Sequence, residues 1–259
     1  MSIWITGDCH ANFHKFSKDV FWEQRDMTKD DVMILCGDFG GVWHQENNIE
    51  YNDYFRRENE KLDWLESLPF TTVFVDGNHE NFDRLYKFPV KEWSGGLVHE
   101  IRPHVLHLMR GEVFTIEDKK FFAFGGASSH DIQDGILDYK DEDWREQAKT
   151  LESQGKYMYR VKGLSWWEQE LPTQEEMKYG EDNLRKHNNK VDFIITHSPS
   201  ASVIARLGMG LYEQDILTRY LEDIKLYNDY TRMFSGHMHE DMQVTDKDIL
   251  LYDQIIRIN

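Results

Sequence analysis

Five short polar motifs occur along the chain, and most of them follow an apolar run. They are Gly7-Asp8-Cys9-His10, Gly37-Asp38, Gly77-Asn78-His79-Glu80, Thr196-His197 and Gly236-His237-Met238-His239. Carboxylate and imidazole groups are ligands that suit manganese, iron or zinc. Together these motifs could hold two divalent ions side by side, and two such ions next to a water can hydrolyse phosphate esters.

The residue types and their spacing suggest how the ligands would be shared. Asp38 is the lone ligand in its motif, so it is the natural carboxylate to bridge the two ions. Asp8 and His10 alternate along the chain, and both could reach one ion from an extended turn. Asn78 offers a neutral oxygen, which adds no further negative charge to the site.

His237 and His239 are also two residues apart, and they could reach two neighbouring ions from one loop. The chain has two cysteines, Cys9 and Cys36, which lie close to candidate ligands, so a thiolate ligand is an alternative. Two cysteines do not make a disulfide framework. We favour two reduced thiols packed at the ends of strands.

The composition limits the kind of partner that the chain can bind. The 259 residues fit one large α/β domain, and 47 Asp and Glu against 30 Lys and Arg give a formal charge of -17. This charge disfavours binding to duplex nucleic acid. It is compatible with a small phosphorylated substrate, because bound cations would reverse the local field. No apolar run is long enough for a membrane span and no signal peptide is apparent, so we expect a cytoplasmic location.

Short apolar runs predict the β-strands. These runs cover residues 3–6, 32–36, 72–75, 105–108, 113–116, 121–124, 193–196, 232–235 and 249–252. Helical patterns at residues 13–24 and 47–68 separate the first three runs, which predicts βαβ units and a parallel sheet. Residues 105–124 predict an antiparallel meander.

The segment at about 133–172 differs from the rest of the chain because it is charged and rich in tryptophan. We interpret it as a helical insertion in a single domain that spans residues 1–259. Thr173 and Glu176 form a capping-box pattern, which predicts that a helix begins there.

Each polar motif lies at the carboxyl end of a predicted strand. In open α/β sheets, ligands bind outside the carboxyl ends of the strands. The five motifs are therefore predicted to meet at one edge of the sheet, although any one of them alone could occur by chance.

The order of these motifs resembles the calcineurin-like metallophosphoesterase superfamily, from residue 7 to residue 239. The resemblance implies an α/β fold, a four-layer α/β/β/α sandwich with two mixed β-sheets and a dinuclear metal site at the strand C-terminal edge. It also implies the ligands. One ion would be held by Asp8, His10, Asp38 and His239, and the other by Asp38, Asn78, His197 and His237.

The resemblance gives His79 a different role: it would face the substrate as a general acid or a transition-state stabiliser. In the protein phosphatase branch the second motif continues as Gly-Asp-x-x-Asp-Arg-Gly. Here it reads Gly37-Asp38-Phe39-Gly40-Gly41-Val42-Trp43. The aspartate that would orient His79 and the arginine that would grip phosphate are both missing, which disfavours a protein phosphatase.

Several other residues have two readings. The stretch 125–131 could cradle a phosphate or be an ordinary turn, and His44 could face substrate or lie on the surface. The role of His130 stays open. We expect His14, His99, His104 and His107 to lie outside the metal site. Trp144, Trp166 and Trp167 could stack on an aromatic part of the substrate or pack the insertion onto the core.

The sequence therefore predicts a phosphoesterase that uses two divalent ions, either Mn, Fe or Zn, on a mono- or diester of a nucleotide-like small molecule. The alternatives are a nuclease of the same superfamily, a protein phosphatase and a catalytically silent scaffold. All seven ligand positions are filled, which argues against the scaffold. The oligomeric state is left open.

Overall fold

The structure is a computed structural model, in which residues 1–45, 52–208 and 213–258 are described. The first large sheet contains β1 (Ile3–Thr6), β2 (Val32–Leu35), β3 (Thr71–Phe74), β4 (Val90–Trp93), β5 (Gly96–Arg102), β6 (Val105–Leu108) and β15 (Ile256–Arg257). Its spatial order is β15-β1-β2-β3-β6-β5-β4. The inner strands β1, β2, β3 and β6 are parallel, and the outer pairings are antiparallel, so the sheet is mixed.

The second large sheet is also mixed. It contains β7 (Glu112–Ile116), β8 (Lys119–Phe124), β11 (Phe193–Thr196), β12 (Arg232–Ser235), β13 (Met242–Gln243) and β14 (Asp248–Leu250). Its spatial order is β13-β14-β12-β11-β8-β7, with β8, β11, β12 and β14 parallel. β7 and β13 pair antiparallel at its two edges.

The described residues form the helices α1 (Asn52–Ser67), α2 (Phe82–Leu85), α3 (Trp144–Ser153), α4 (Gln174–Lys186), α5 (Ala201–Gly208) and α6 (Ile216–Tyr227). α1 and α2 pack on the outer face of the first sheet and α4 and α6 on that of the second, whereas α3 contacts β9 (Gly135–Asp138). No helix in the described part of the chain is both long and apolar enough to cross a lipid bilayer.

Alternation along the strands builds the layers. In β8, Phe121 joins the core between the sheets, whereas Phe122 joins the core on the helical side. Leu62 of α1 packs on the outer face of the first sheet, and Leu221 of α6 on that of the second. Strands buried on both faces read as continuous apolar runs, which is why the sequence reveals them. The predicted α/β sandwich with two mixed sheets is confirmed.

The helix predicted at residues 13–24 is wrong. Two short 3₁₀ turns, His14–Phe16 and Trp22–Asp26, occupy this segment, with extended backbone at Ser17 between them. Phe16 and Phe21 are buried, but Val20 is half exposed. The buried aromatic residues of two successive turns therefore have the spacing that the sequence analysis interpreted as one face of a helix. The helix predicted at 47–68 begins at Asn52 in the described residues, and its predicted start lies outside them.

The meander predicted for residues 105–124 is also wrong. β6 belongs to the first sheet, whereas β7 and β8 form a hairpin in the second, so the chain crosses between the sheets after β6. The partners of β6 are β3 and β5. β5 and the edge strand β4 have no counterpart in the sequence prediction. β4 alternates between exposed and half-buried residues and therefore forms no apolar run.

The segment at 133–172 is mixed rather than helical. It contains α3 and a two-stranded parallel sheet of β9 (Gly135–Asp138) and β10 (Tyr159–Lys162). The capping box of Thr173 and Glu176 is confirmed at the start of α4.

Asp76 connects the two sheets directly beneath the third motif. Its carboxylate accepts hydrogen bonds from His107 Nε2 at 3.0 Å and from Arg110 Nε at 2.9 Å. Its backbone carbonyl accepts one from the Gly126 amide at 2.8 Å. All three side chains are buried. Burial would raise the pKa of Asp76, but Arg110 and His107 hold that pKa well below its usual range.

Replacing Asp76 with Asn should therefore destabilise the fold strongly. The change removes the buried counter-ion of the Arg110 guanidinium and leaves only the partly exposed Glu176 carboxylate at 3.7 Å. Breaking a buried ion pair typically costs about 3–5 kcal/mol. Chemical denaturation measures it. The matched control is Asp182→Asn, whose ion pairs with Lys178 and Arg185 lie on the exposed face of α4 and should contribute nothing measurable. Equal stability of the two variants would contradict the structural role of Asp76.

His99 makes stability depend on pH. Burial and the neighbouring His107 lower the pKa of His99 to about 4, from 6.5. The folded state therefore holds His99 neutral while the unfolded chain protonates it, so its contribution to stability is present above pH 6.5 and is lost as the pH falls toward 4. The loss is at most roughly 3 kcal/mol. His99→Asn should show a smaller fall in denaturation midpoint between pH 7 and 4 than the wild type, and an identical fall would contradict this assignment.

Candidate metal centre

The five motifs come together at the carboxyl ends of five strands, three from the first sheet and two from the second. They follow β1, β2, β3, β11 and β12. Backbone hydrogen bonds fasten neighbouring motifs to one another. The amides of Cys9 and His10 both donate to the Asp38 carbonyl, at 3.0 and 2.8 Å. The Gly236 amide donates to the His197 carbonyl at 3.0 Å.

Ligand atoms converge in two groups that share one carboxylate. The first metal group is Asp8, His10, Asp38 and His239, and the second metal group contains Asp38, His197 and His237. Within each group one ligand atom per residue lies within 4.8 Å of all the others. The shared residue is Asp38, the carboxylate that the sequence singled out as a bridge.

Asn78 joins the second metal group through its amide oxygen. Asn78 Oδ1 lies 3.3 Å from His197 Nε2, and its Nδ2 donates to Ser129 Oγ at 3.4 Å. The structure therefore brings all seven residues predicted to be ligands to one place. Carboxylate, imidazole and amide donors fit the preferences of Mn, Fe or Zn.

The rings of the first metal group face each other across a short gap. His10 Nε2 and His239 Nε2 are 3.0 Å apart, and His239 Nε2 is 3.2 Å from Asp8 Oδ2. Two ring nitrogens turned toward the same carboxylate are arranged as ligands of one cation would be. The donor set and its convergence both fit a bound divalent ion.

The backbone at this site is strained. Asp38, His10, His237 and His239 have φ angles of 40, 46, 67 and 52°. Residues other than glycine rarely adopt this left-handed region, and each such residue costs about 1–3 kcal/mol. The surrounding hydrogen bonds enforce the conformation, which turns the side chains toward the centre. Strain of this kind is found at functional sites.

The buried charges perturb one another. Burial disfavours the charged form of His197, but the Asp38 and Asp8 carboxylates outweigh it and raise the pKa of His197 to about 10. The same pairing works in reverse on Asp38. Burial would raise the pKa of Asp38, but His197, with the nearby His79 and His10, holds it well below its usual range. Burial, and then the charge of His197, lowers the pKa of His237 well below its ordinary value.

Glu80, the last residue of the third motif, supports the loop after Asp38. Its carboxyl group accepts hydrogen bonds from the amides of Phe39 and Gly40, at 2.7 and 3.4 Å. Burial and the nearby Asp38 raise the pKa of Glu80 well above its usual value. Glu80 thus holds the Asp38 turn in its strained conformation.

His79 lies beside the first metal group, and aromatic rings orient it. Its amide donates to Asp38 Oδ1 at 2.8 Å, and its ring centroid is 4.8 Å from that of His10. The ring stacks on Trp43 at 5.7 Å, and Trp43 packs edge-on against Trp167 at 5.4 Å. The Trp43 ring therefore packs against one face of the His79 ring and restricts its orientation. Burial lowers the pKa of His79.

Sequence reasoning missed the residues that support the ligands from behind. The Tyr252 ring stacks on His239 at 4.6 Å. Lys15 Nζ donates to the carbonyls of Asp8 and Tyr252, at 2.9 and 2.5 Å. Ser129 Oγ donates to the buried Glu170 at 2.8 Å. Only Ser129, in the Gly- and Ser-rich stretch, carried a signal. Glu170 lies far along the chain from Ser129, whereas Lys15 and Tyr252 are closer in sequence to Asp8 and His239 but have no characteristic spacing.

The ambiguous residues divide into two sets. His130 lies at the site, with its ring 4.6 Å from His237. His14, His99, His104 and His107 are outside both metal groups. His44 is half-buried near Glu58, whose carboxylate accepts from its amide at 2.8 Å. Burial raises the pKa of the Cys9 thiol to about 12 and that of Cys36 well above its usual value. Neither cysteine belongs to either metal group.

Comparison with known proteins identifies the family. The family model for calcineurin-like phosphoesterases matches residues 1–241. The chain belongs to this family. Membership, together with the intact His and Asp residues of the two metal groups, makes it a metal-dependent phosphoesterase.

Three more distant relatives are lariat debranching enzymes. The protein of Danio rerio is 23% identical over 154 residues, which cover 54% of this chain and 24% of that protein. The Xenopus laevis enzyme A is 25% identical over 147 residues, 52% of this chain and 25% of that protein. The Arabidopsis thaliana protein is 29% identical over 100 residues, which cover 36% of this chain and 24% of that protein. The matched region thus covers about a quarter of each relative.

Divalent metal should stabilise the folded phosphoesterase. The unfolded chain does not assemble the two metal groups, so saturating Mn²⁺ at 100 times its dissociation constant should add about 2.7 kcal/mol. Thermal denaturation with Mn²⁺ and with EDTA measures the effect as a rise in Tm. Asp38→Asn should remove most of the rise, whereas Asp223→Asn, on the exposed face of α6, should retain it. An equal rise in both variants would show that the metal binds elsewhere.

Proposed function

We propose that this phosphoesterase hydrolyses a mono- or diester of a nucleotide-like small molecule with two bound divalent ions. One ion would be held by Asp8, His10, Asp38 and His239, and the other by Asp38, Asn78, His197 and His237. The observation that carries the proposal is the sharing of Asp38 between two groups of ligand atoms.

The chain's own residues have separate tasks in this reaction. The bound ions would lower the pKa of a water toward neutrality and offset charge on the phosphoryl oxygens. His79 faces the departing oxygen and stabilises it by donating a hydrogen bond or a proton. Trp43 holds the His79 ring, and the Asp38 carboxylate fixes its backbone. The water's oxygen bonds to phosphorus, the ester oxygen leaves, and the water's proton passes to that oxygen.

Nuclease activity is the second candidate, and the distant relatives support it. They are lariat debranching enzymes, whose names indicate that they act on the branch of a lariat. The charge of -17 disfavours a long polyanion. Hydrolysis of short linear and branched oligonucleotides, compared with single nucleotides, would separate the two candidates. A strong preference for oligonucleotides would replace the small-molecule proposal.

Activity of variants tests the assignment. Asp38→Asn should lower the turnover of a nitrophenyl phosphoester in Mn²⁺ because the shared ligand is lost. His79→Ala should lower kcat by about 10²–10⁴-fold, the usual range for a general acid, with metal content unchanged. The ion content of each variant is measured by elemental analysis alongside the rates.

His14→Ala is the matched control for His79→Ala. This histidine is exposed and lies four residues after His10, outside both metal groups. It should keep the wild-type rate. Wild-type turnover by His79→Ala would exclude a catalytic role for His79.

A further inference from the structure

A cavity with both polar and apolar side chains in its wall opens beside the second metal group. Its volume is about 680 Å³, within the range of about 300–1,000 Å³ typical of small-molecule sites. The polar residues that line it include Ser128, His130, Gln133, Glu213, Asp215 and His237. We call it the His237 cavity, after the predicted ligand in its wall.

The chemistry of the cavity wall selects an uncharged polar group. Gln133 and Glu213 line the cavity, and both side chains are exposed, so their polar atoms can be reached by a ligand. One carboxylate oxygen of Asp215 accepts a hydrogen bond from the Thr218 amide. Glu213 and Asp215 are acidic, and no Lys or Arg is among the described residues that line the cavity. Hydroxyl and N–H donors fit this wall, and a further phosphate would be repelled.

His130 adds a flat surface. Its imidazole is exposed at the cavity and lies at 4.6 Å from the His237 ring. A heteroaromatic ring can stack on such a surface, as aromatic groups do in proteins. A sugar with a planar base, that is a nucleoside, presents both the donors and the ring.

The position of the cavity decides which part of the ester it holds. The departing oxygen must lie near His79, which packs on the His10 side of the centre. The His237 cavity is on the other metal group, and neither His79 nor His10 lines it. A group in the cavity therefore is the one that stays on phosphorus. Of the two kinds of ester considered, only a diester has both a leaving group and a second group that stays attached to phosphorus.

We propose that the His237 cavity binds a nucleoside that remains attached to phosphorus, so that the enzyme is a phosphodiesterase with nucleotide products. This inference rests on the proposed function and decides between mono- and diester. In the reaction the water oxygen bonds to phosphorus, the bond to the leaving oxygen breaks, and the nucleoside keeps its own ester bond.

Two chromogenic diesters with the same leaving group test the proposal. Thymidine 5′-(4-nitrophenyl phosphate) and methyl 4-nitrophenyl phosphate both release nitrophenolate, but only the first retains a nucleoside. In Mn²⁺ the ratio of their kcat/KM values should exceed about tenfold, which corresponds to about 1.4 kcal/mol of binding. A ratio near one would overturn the proposal, while hydrolysis of both esters would leave the proposed function standing.

Variants of the cavity show whether it causes the preference. Gln133→Ala and Glu213→Ala should each lower the ratio of the two kcat/KM values at least threefold. Gln154→Ala, exposed at the end of α3 in the same segment, should keep the wild-type ratio. An unchanged ratio in both cavity variants would place nucleoside recognition elsewhere and overturn the proposal.

The acidic wall has its own test. A thymidine 3′-phosphate carried on the same nitrophenyl diester should be hydrolysed more slowly than the unphosphorylated substrate. Glu213→Gln should narrow that difference, because it removes a carboxylate without changing size. A 3′-phosphate that speeds the wild-type reaction would contradict repulsion by Glu213 and Asp215.

Binding without metal separates the two proposals. Saturation-transfer NMR should detect thymidine on the EDTA-treated wild-type protein and lose the signal in Gln133→Ala. Absence of binding to the wild type would overturn the cavity assignment. If neither diester is hydrolysed but thymidine binds, the cavity assignment holds and the proposed function fails.

Discussion

The site depends on compensating the negative charge of two buried carboxylates. Asp8 and Asp38 are 2% exposed, and among the described residues neither side chain pairs with a lysine or an arginine. Burying an ionised carboxylate costs several kcal/mol unless hydrogen bonds and opposite charges compensate it. Histidine rings and backbone amides supply that compensation: the His79 amide donates to Asp38, and the His237 amide to Asp8. Five strands of two sheets end here to deliver these groups.

The same constraint explains why glycine precedes the ligands. A Cβ at Gly77 would lie 2.1 Å from Asp38 Oδ1, and one at Gly236 would lie 2.1 Å from Asp8 Oδ1. The carboxylates therefore occupy the space that any larger residue would need. Close approach is one of the two reasons for glycine at such positions, and it is the one that acts here. Left-handed backbone occurs at Gly37, where φ is 90°, and also at ligands such as His237, where packing enforces the strain.

The sequence predicts the convergence well because its signals are local. A buried parallel strand is an apolar run, and the residue after it lies at the sheet edge, so Asp38 and His197 could be placed together without knowing the fold. The partition of residues 105–124 between two sheets could not be predicted, because it depends on which distant strands pair. The helix predicted at residues 13–24 was wrong for a related reason. A helix and two successive turns with buried aromatic residues produce the same pattern of buried positions.

The supporting residues were hidden because only tertiary contacts identify them. Trp43 belongs to the second motif, yet nothing in the sequence shows that its ring lies against His79. Glu170 is more than 90 residues from Asn78, and they communicate through Ser129, which donates to Glu170 and accepts from Asn78. Burial raises the pKa of Glu170 to about 7. No spacing rule connects such residues.

These contacts give the segment at 133–172 a part in the site. Trp167 backs the Trp43 ring that orients His79, and Glu170 holds the serine that contacts Asn78. The second motif lacks the aspartate and the arginine of the protein phosphatase branch, and here Trp43 packs on His79 with Trp167 of this segment behind it. Gln133, at its beginning, lines the cavity beside His237. The segment that departs most from the α/β pattern therefore contributes side chains both to the packing behind His79 and to the cavity beside His237.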